Sequence, residues 1–242
     1  MTDKPVSVVR DASSPVSLRP AASDPAPGAG GSGGEVTTPP ARTVSRSRAT
    51  SAIDAPALLR QVAQQLDAGQ YDVALTGLRR YVEAFPQHLT MRAHLAELHL
   101  RLGQIPEAME HLEYYLTQAP LHGETAQHRV HCHTRLVELA VAQGNDYAEH
   151  LHRGGGLLAL AEQIQRQDPD DPAAQRILFQ AIAELKQAVD RKPSEARPHF
   201  WLARCWDLLG QSQPAREHRA KARHLAPQSD LSEAELTILF RE

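Results

Sequence analysis

The chain has 242 residues, 41% of them hydrophobic, with 26 basic and 29 acidic side chains and two cysteines. The first 50 residues hold six basic and four acidic groups, leaving 20 against 25 in the remainder. A mildly acidic body disfavours a nucleic-acid backbone or an anionic membrane as partner, and two cysteines without a CxxC disfavour a disulfide framework or zinc ribbon. No run of 18 apolar residues suggests a membrane-spanning helix. The N-terminal MTDKPVSVVRDASSPV lacks the apolar core of a secretory signal. A cytoplasmic protein is therefore expected.

Residues 1–50 read as a disordered tail. Pro5, Pro15, Pro20, Pro25, Pro27, Pro39 and Pro40 block helix continuation, and GAGGSGG at 28–34 adds chain entropy that no nearby apolar surface offsets. The remaining 51–242 read as one helical domain. A first helix pair is expected over 55–88. Leu58, Leu59, Val62, Ala63 and Leu66 form an apolar stripe at helical spacing. Asp54 is placed to cap this helix and Gly69 to end it. Ala74, Leu75, Leu78, Val82 and Phe85 continue on a second helix, which Pro86 stops.

The next segment, 89–122, repeats the plan. Gly69 is followed by Gly103, Ala74 by Ala108, Tyr81 by Tyr115 and Pro86 by Pro120, each step being 34 residues. A fixed period of about 34 residues with a helix–turn–helix pattern inside it marks a stacked helical repeat. The segment 123–195 is irregular. One helix ends at Gly144, seven residues later than the period requires, a long helical stretch follows to Pro169, and another helix covers about 173–191. The spacing returns over 196–229 with Gly210, Ala215 and Pro227, and a capping helix is expected over 231–241, with Ser232 and Glu235 in capping-box register.

These residues resemble the tetratricopeptide repeat family. Leu95, Ala96, Ala108, Leu112 and Pro120 fall in its Leu, Gly, Ala, Phe and Pro slots, while its Trp slot holds Leu58 in the first repeat and Arg92 in the second. The resemblance implies an all-α, right-handed superhelix of stacked helix pairs that receives a peptide or partner helix in a concave groove. By register it places Leu59, Ala63, Ala93, Glu97, Arg101, Thr134, Glu138, Phe200 and Arg204 along that groove. One subset of the family clamps a C-terminal carboxylate with Lys and Asn; here those positions are Leu59 and Ala63, so the clamp is not expected. The expected function is a protein-interaction scaffold with a protein or peptide partner, no cofactor, no metal and no catalytic residues.

An alternative reading places a metal- or anion-binding, even enzymatic, function on 123–192. That segment carries HCH at 131–133, HLH at 150–152 and Gly154-Gly155-Gly156. Residues i and i+2 point about 200° apart on a helix, so neither triplet chelates alone. Counted from Gly144, His133 lies about 16 Å back and His150 about 9 Å forward, which predicts that the triplets are out of step. Three glycines within a helix cost about 3 kcal/mol relative to alanines. Something must offset that, either a close helix crossing or kink, or a backbone nest for an anion. No HExxH, GxSxG or GxxxxGKS/T accompanies them.

Overall fold

The computed structural model describes residues 54–119, 126–229 and 231–241. The expected tail over 1–50, and the Pro120 and His122 positions, lie outside the described residues. Those that are described form α1 (Ala55–Asp67), α2 (Tyr71–Ala84), α3 (Leu89–Arg101), α4 (Ile105–Gln118), α5 (Ala126–Gln143), α6 (Asp146–Gln167), α7 (Pro172–Arg191), α8 (Ala196–Leu208), α9 (Ser212–Leu225), a single 3-10 turn (Ala226–Gln228) and α10 (Glu233–Arg241). The fold is an all-α stack of helix–turn–helix units.

Four hairpins share one turn. Gly69, Gly103, Gly144 and Gly210 sit at φ between 66° and 71°, a region that L side chains rarely adopt. At each, the following residue donates its N–H back over the glycine, from Gln70 to Gln65, Gln104 to His99, Asn145 to Ala140 and Gln211 to Trp206, at 2.8–2.9 Å. This closure satisfies a helix-end carbonyl and reverses the chain within three residues. Asp54 caps α1 through Ala57, at 3.0 Å. Ala74 and Ala108, small where paired helices cross, are fully buried.

The third unit departs from this plan in a legible way. Seventeen residues after the glycine, where the other units carry Pro86, Pro120 and Pro227, it has Ala161, which is fully buried. With no proline to stop it, α6 continues to Gln167. It therefore packs along α5 on one side and along α7 on the other, and also touches α8. One helix thus serves two hairpins. Its triple glycine lies where these neighbours converge. A Cβ on Gly154 would meet Leu185 Cγ at 2.6 Å, and one on Gly155 would meet His133 Cε1 at 2.5 Å and Trp201 Cζ3 at 2.6 Å. The close-crossing account of the glycines holds.

At the far end Ser232 and Glu235 cap α10 reciprocally: Glu235 Oε2 accepts from the Ser232 N–H at 2.9 Å, and Ser232 Oγ from the Glu235 N–H at 3.2 Å. Leu239 packs with Phe200, Ala222 and Leu231, covering the last repeat. The basic segment HRAKARH at 218–224 is only partly a solvent face. Ala222 is buried, and Arg223 donates to the Leu239 carbonyl at 2.8 and 3.0 Å, tying α10 to α9.

Candidate functional site

A small pocket, partly open to solvent, lies where α4, α5, α6, α8 and α10 meet. Leu116, Leu158, Phe200, Trp201 and Ile238 supply apolar wall, and Arg129, Arg197, Arg204, Glu162 and Glu235 supply charge. Glu162 is the hub. It accepts from Arg129 Nη2 at 2.7 Å and from Arg204, and Arg166 stands 3.8 Å away. Burial pushes the Glu162 carboxyl up, but the Arg204 and Arg129 guanidiniums more than reverse this and hold it below the ordinary range. Arg197 forms a two-pronged bond to Glu235 at 3.0 and 3.1 Å, joining α8 to α10.

The expected groove residues divide into groups. Phe200 and Arg204 line this pocket, though Phe200 is only 4% exposed beneath α10. Glu97 lies on α3 and accepts from Arg135 Nε at 2.9 Å and from His131 at 3.1 Å, while Arg135 also bonds Glu138 at 2.9 Å. Thr134 is exposed and donates to the Val130 carbonyl. Arg101 is exposed and its guanidinium lies over the Tyr71 ring. Leu59 and Ala93 are half-buried, each packed against a core cluster, and Ala63 is half-buried on α1.

One expectation fails. The histidine triplets are not out of step, because His133 Nδ1 lies 3.4 Å from His152 Nδ1 with both rings about 95% buried. A stagger common to all four hairpins brings His152, not His150, opposite His133. In each, the residue eleven before the turn glycine meets the residue eight after it: Leu58 with Gly77, Arg92 with His111, His133 with His152, and His199 with His218. This is the repeat's Trp slot and the position facing it. Here the last two repeats place a histidine pair, and the His199–His218 Nδ1 separation is 3.0 Å. Among the described residues no three His, Cys, Asp or Glu side chains form a metal-binding group.

Buried imidazoles without a carboxylate partner hold their neutral form. Burial, reinforced by the charge of Arg197, pushes His152 down to about 3. Burial also lowers His133 well below its ordinary value, with His152, Arg129 and Arg197 adding to the effect. His199 is down to about 4 through burial, His218 and Lys221.

Reiterated hairpins with a common glycine turn define an α-helical repeat architecture. Residues 59–122 match the family model for the tetratricopeptide repeat. That stretch, from α1 to the end of α4, is thus similar to tetratricopeptide repeats. Its solved likenesses include a thermophilic TPR protein from Thermus thermophilus, at 24% identity over 76% of this chain and 82% of that one, TM-score 0.34. Another is MamA from Desulfovibrio magneticus RS-1, at 18% identity over 73% and 97%, TM-score 0.34. A third is YrrB, described as a TPR protein with an unusual peptide-binding site, at 15% identity over 76% and 91%, TM-score 0.32. Comparison with curated proteins gives no match. No helix among the described residues is long and apolar enough to cross a membrane.

Proposed function

We propose that the chain is a protein-interaction scaffold whose partner segment lies along α3 and α5 and reaches the pocket at α8. The observation that carries this reading is the polar ladder on neighbouring first helices. Glu97 is fixed by Arg135 and His131, and Arg135 by Glu138, so charged groups from two repeats are held in place on one face. Preorganised side chains lose little entropy when a partner arrives, which is how such a face gains affinity. Arg101 and Thr134 are exposed beside the ladder and Glu138 at its edge, and the pocket, with its apolar wall and Arg204, offers an anchor beyond it.

A photo-crosslinking residue at Thr134 is expected to capture a partner from the native cell extract. One at Gln180, exposed on α7, is expected to capture none of the same species. The double charge reversal Arg101→Glu with Glu138→Lys should remove the Thr134 adduct while leaving the circular dichroism spectrum intact. Equal capture from both positions, or an adduct indifferent to the reversal, would place the partner elsewhere.

A further inference from the structure

We propose that the His133–His152 and His199–His218 pairs form an acid-sensitive latch that holds the α5–α6 and α8–α9 hairpins, and with them the pocket, closed at neutral pH. Each pair joins the two helices of one hairpin at the same register position, at 3.4 and 3.0 Å. In each contact one neutral ring must donate its N–H and the other accept, since two imidazolium rings offer only donors. Protonation of both rings of a pair therefore removes the bond and places like charges face to face.

The surroundings sharpen the effect. His133 faces His152, with Arg129 from its own helix and Arg197 from α8 as charged neighbours; Arg204 of α8 and Glu113 of α4 line the same pocket, and the Glu162 and Glu235 carboxylates are engaged by Arg129, Arg204 and Arg197. His199 and His218 face Lys221 on α9 and Lys186 on α7, with Glu217 on α9 opposing them at His218. A proton on the first pair thus joins two guanidiniums. His133 and His152 also line the pocket and His133 meets Trp201 edge to face at 5.5 Å, so the pocket is the route by which a charged ring reaches water. The direction follows from linkage. The folded-state values are depressed, so the closed form binds fewer protons than the open one below about pH 6.5. Stability is complete above that value and is lost as pH falls toward about 4 for His199 and about 3 for His152. If both rings of a pair gain a proton on opening, the opening equilibrium rises up to about hundredfold per pH unit. Release of a bound partner through this opening rests on the scaffold reading; the latch itself does not.

The test uses the full chain. There are two tryptophans, so Trp206→Phe leaves Trp201 as the sole reporter beside His133. Acidification from pH 7.5 is expected to red-shift Trp201 emission with a midpoint below 6.5, before helical circular dichroism is lost. His133→Gln with His152→Gln should move that midpoint down by at least one pH unit, whereas His224→Gln, at an exposed position, should not move it. An unchanged midpoint in the double variant, or emission that changes only together with helix content, overturns the latch. Should the double variant fail to fold, the imidazole proton resonances of the unaltered chain decide. Four rings silent above pH 6 and then titrating together support the latch, and four independent titrations near 6.5 sink it.

Discussion

The triple glycine offers a test in which one position controls for the next. Alanine at any of the three should add helix propensity worth about 1 kcal/mol, equally at each. What differs is space. At Gly155 the new methyl would sit 2.5 Å from His133 and 2.6 Å from Trp201, where carbon contacts normally stand at about 3.5–4.0 Å. Both neighbours are constrained, His133 by its contact with His152 and Trp201 by packing against the core under α10. Overpacking of this kind costs about 1–3 kcal/mol, so Gly155→Ala should lose about 1–2 kcal/mol net. Gly154→Ala should also lose, since Leu185 Cγ stands 2.6 Å away and the Ala181 carbonyl 3.2 Å. Gly156→Ala meets only the His133 side chain, with Cβ at 3.2 Å and Cγ at 3.8 Å, and should be near neutral or slightly stabilising. With a urea slope of about 2–3 kcal/mol/M, the Gly155→Ala midpoint falls by roughly half a molar. Adding His133→Ala should recover part of the loss, because the two sites share one contact and will not add. A Gly155→Ala midpoint at or above that of Gly156→Ala would refute the crossing geometry.

Two further outcomes follow from burial and pairing. Glu162→Gln leaves Arg129 and Arg204 facing each other without their carboxylate and should destabilise the chain by about 3 kcal/mol, measured by thermal melting at pH 7; the loss should shrink as the reference chain is itself acidified below the ordinary Glu range. Ala74→Leu and Ala108→Leu should each cost about 1–3 kcal/mol through overpacking at fully buried crossings. Unchanged urea midpoints in both would place those alanines outside the helix contacts.

Much of the fold was legible because the hairpins rest on local chemistry. A glycine that must be left-handed, a small alanine five residues later and a proline that halts the second helix are each readable one residue at a time. The irregular unit was less so. Its extra length showed as a seven-residue delay of Gly144, but nothing local says that α6 will lie against three neighbours at once. The glycines announced a close approach or an anion nest without choosing between them. The pocket was harder still, since Arg129, Arg197, Glu162 and Glu235 find their partners 33 to 38 residues away. The histidine pairs could have been found. Aligning the four glycines places His133 opposite His152 and His199 opposite His218, and the axial count failed by measuring distance along the helices instead of register between repeats.

The double membership of α6 bears on how the molecule folds. In a regular solenoid each unit touches only its neighbours, and stability is close to a sum of unit and interface contributions, so an end repeat frays without disturbing the middle. Here no seam exists between the third hairpin and the helix pair that follows it. Opening α5 from α6 strips the support from Gly155 and Trp201, and opening α7 from α6 strips it from Gly154 and Leu185. The segment from α5 to α8 is therefore expected to gain and lose its structure as one cooperative block, flanked by α1–α4 and α9–α10, where amide exchange should proceed repeat by repeat.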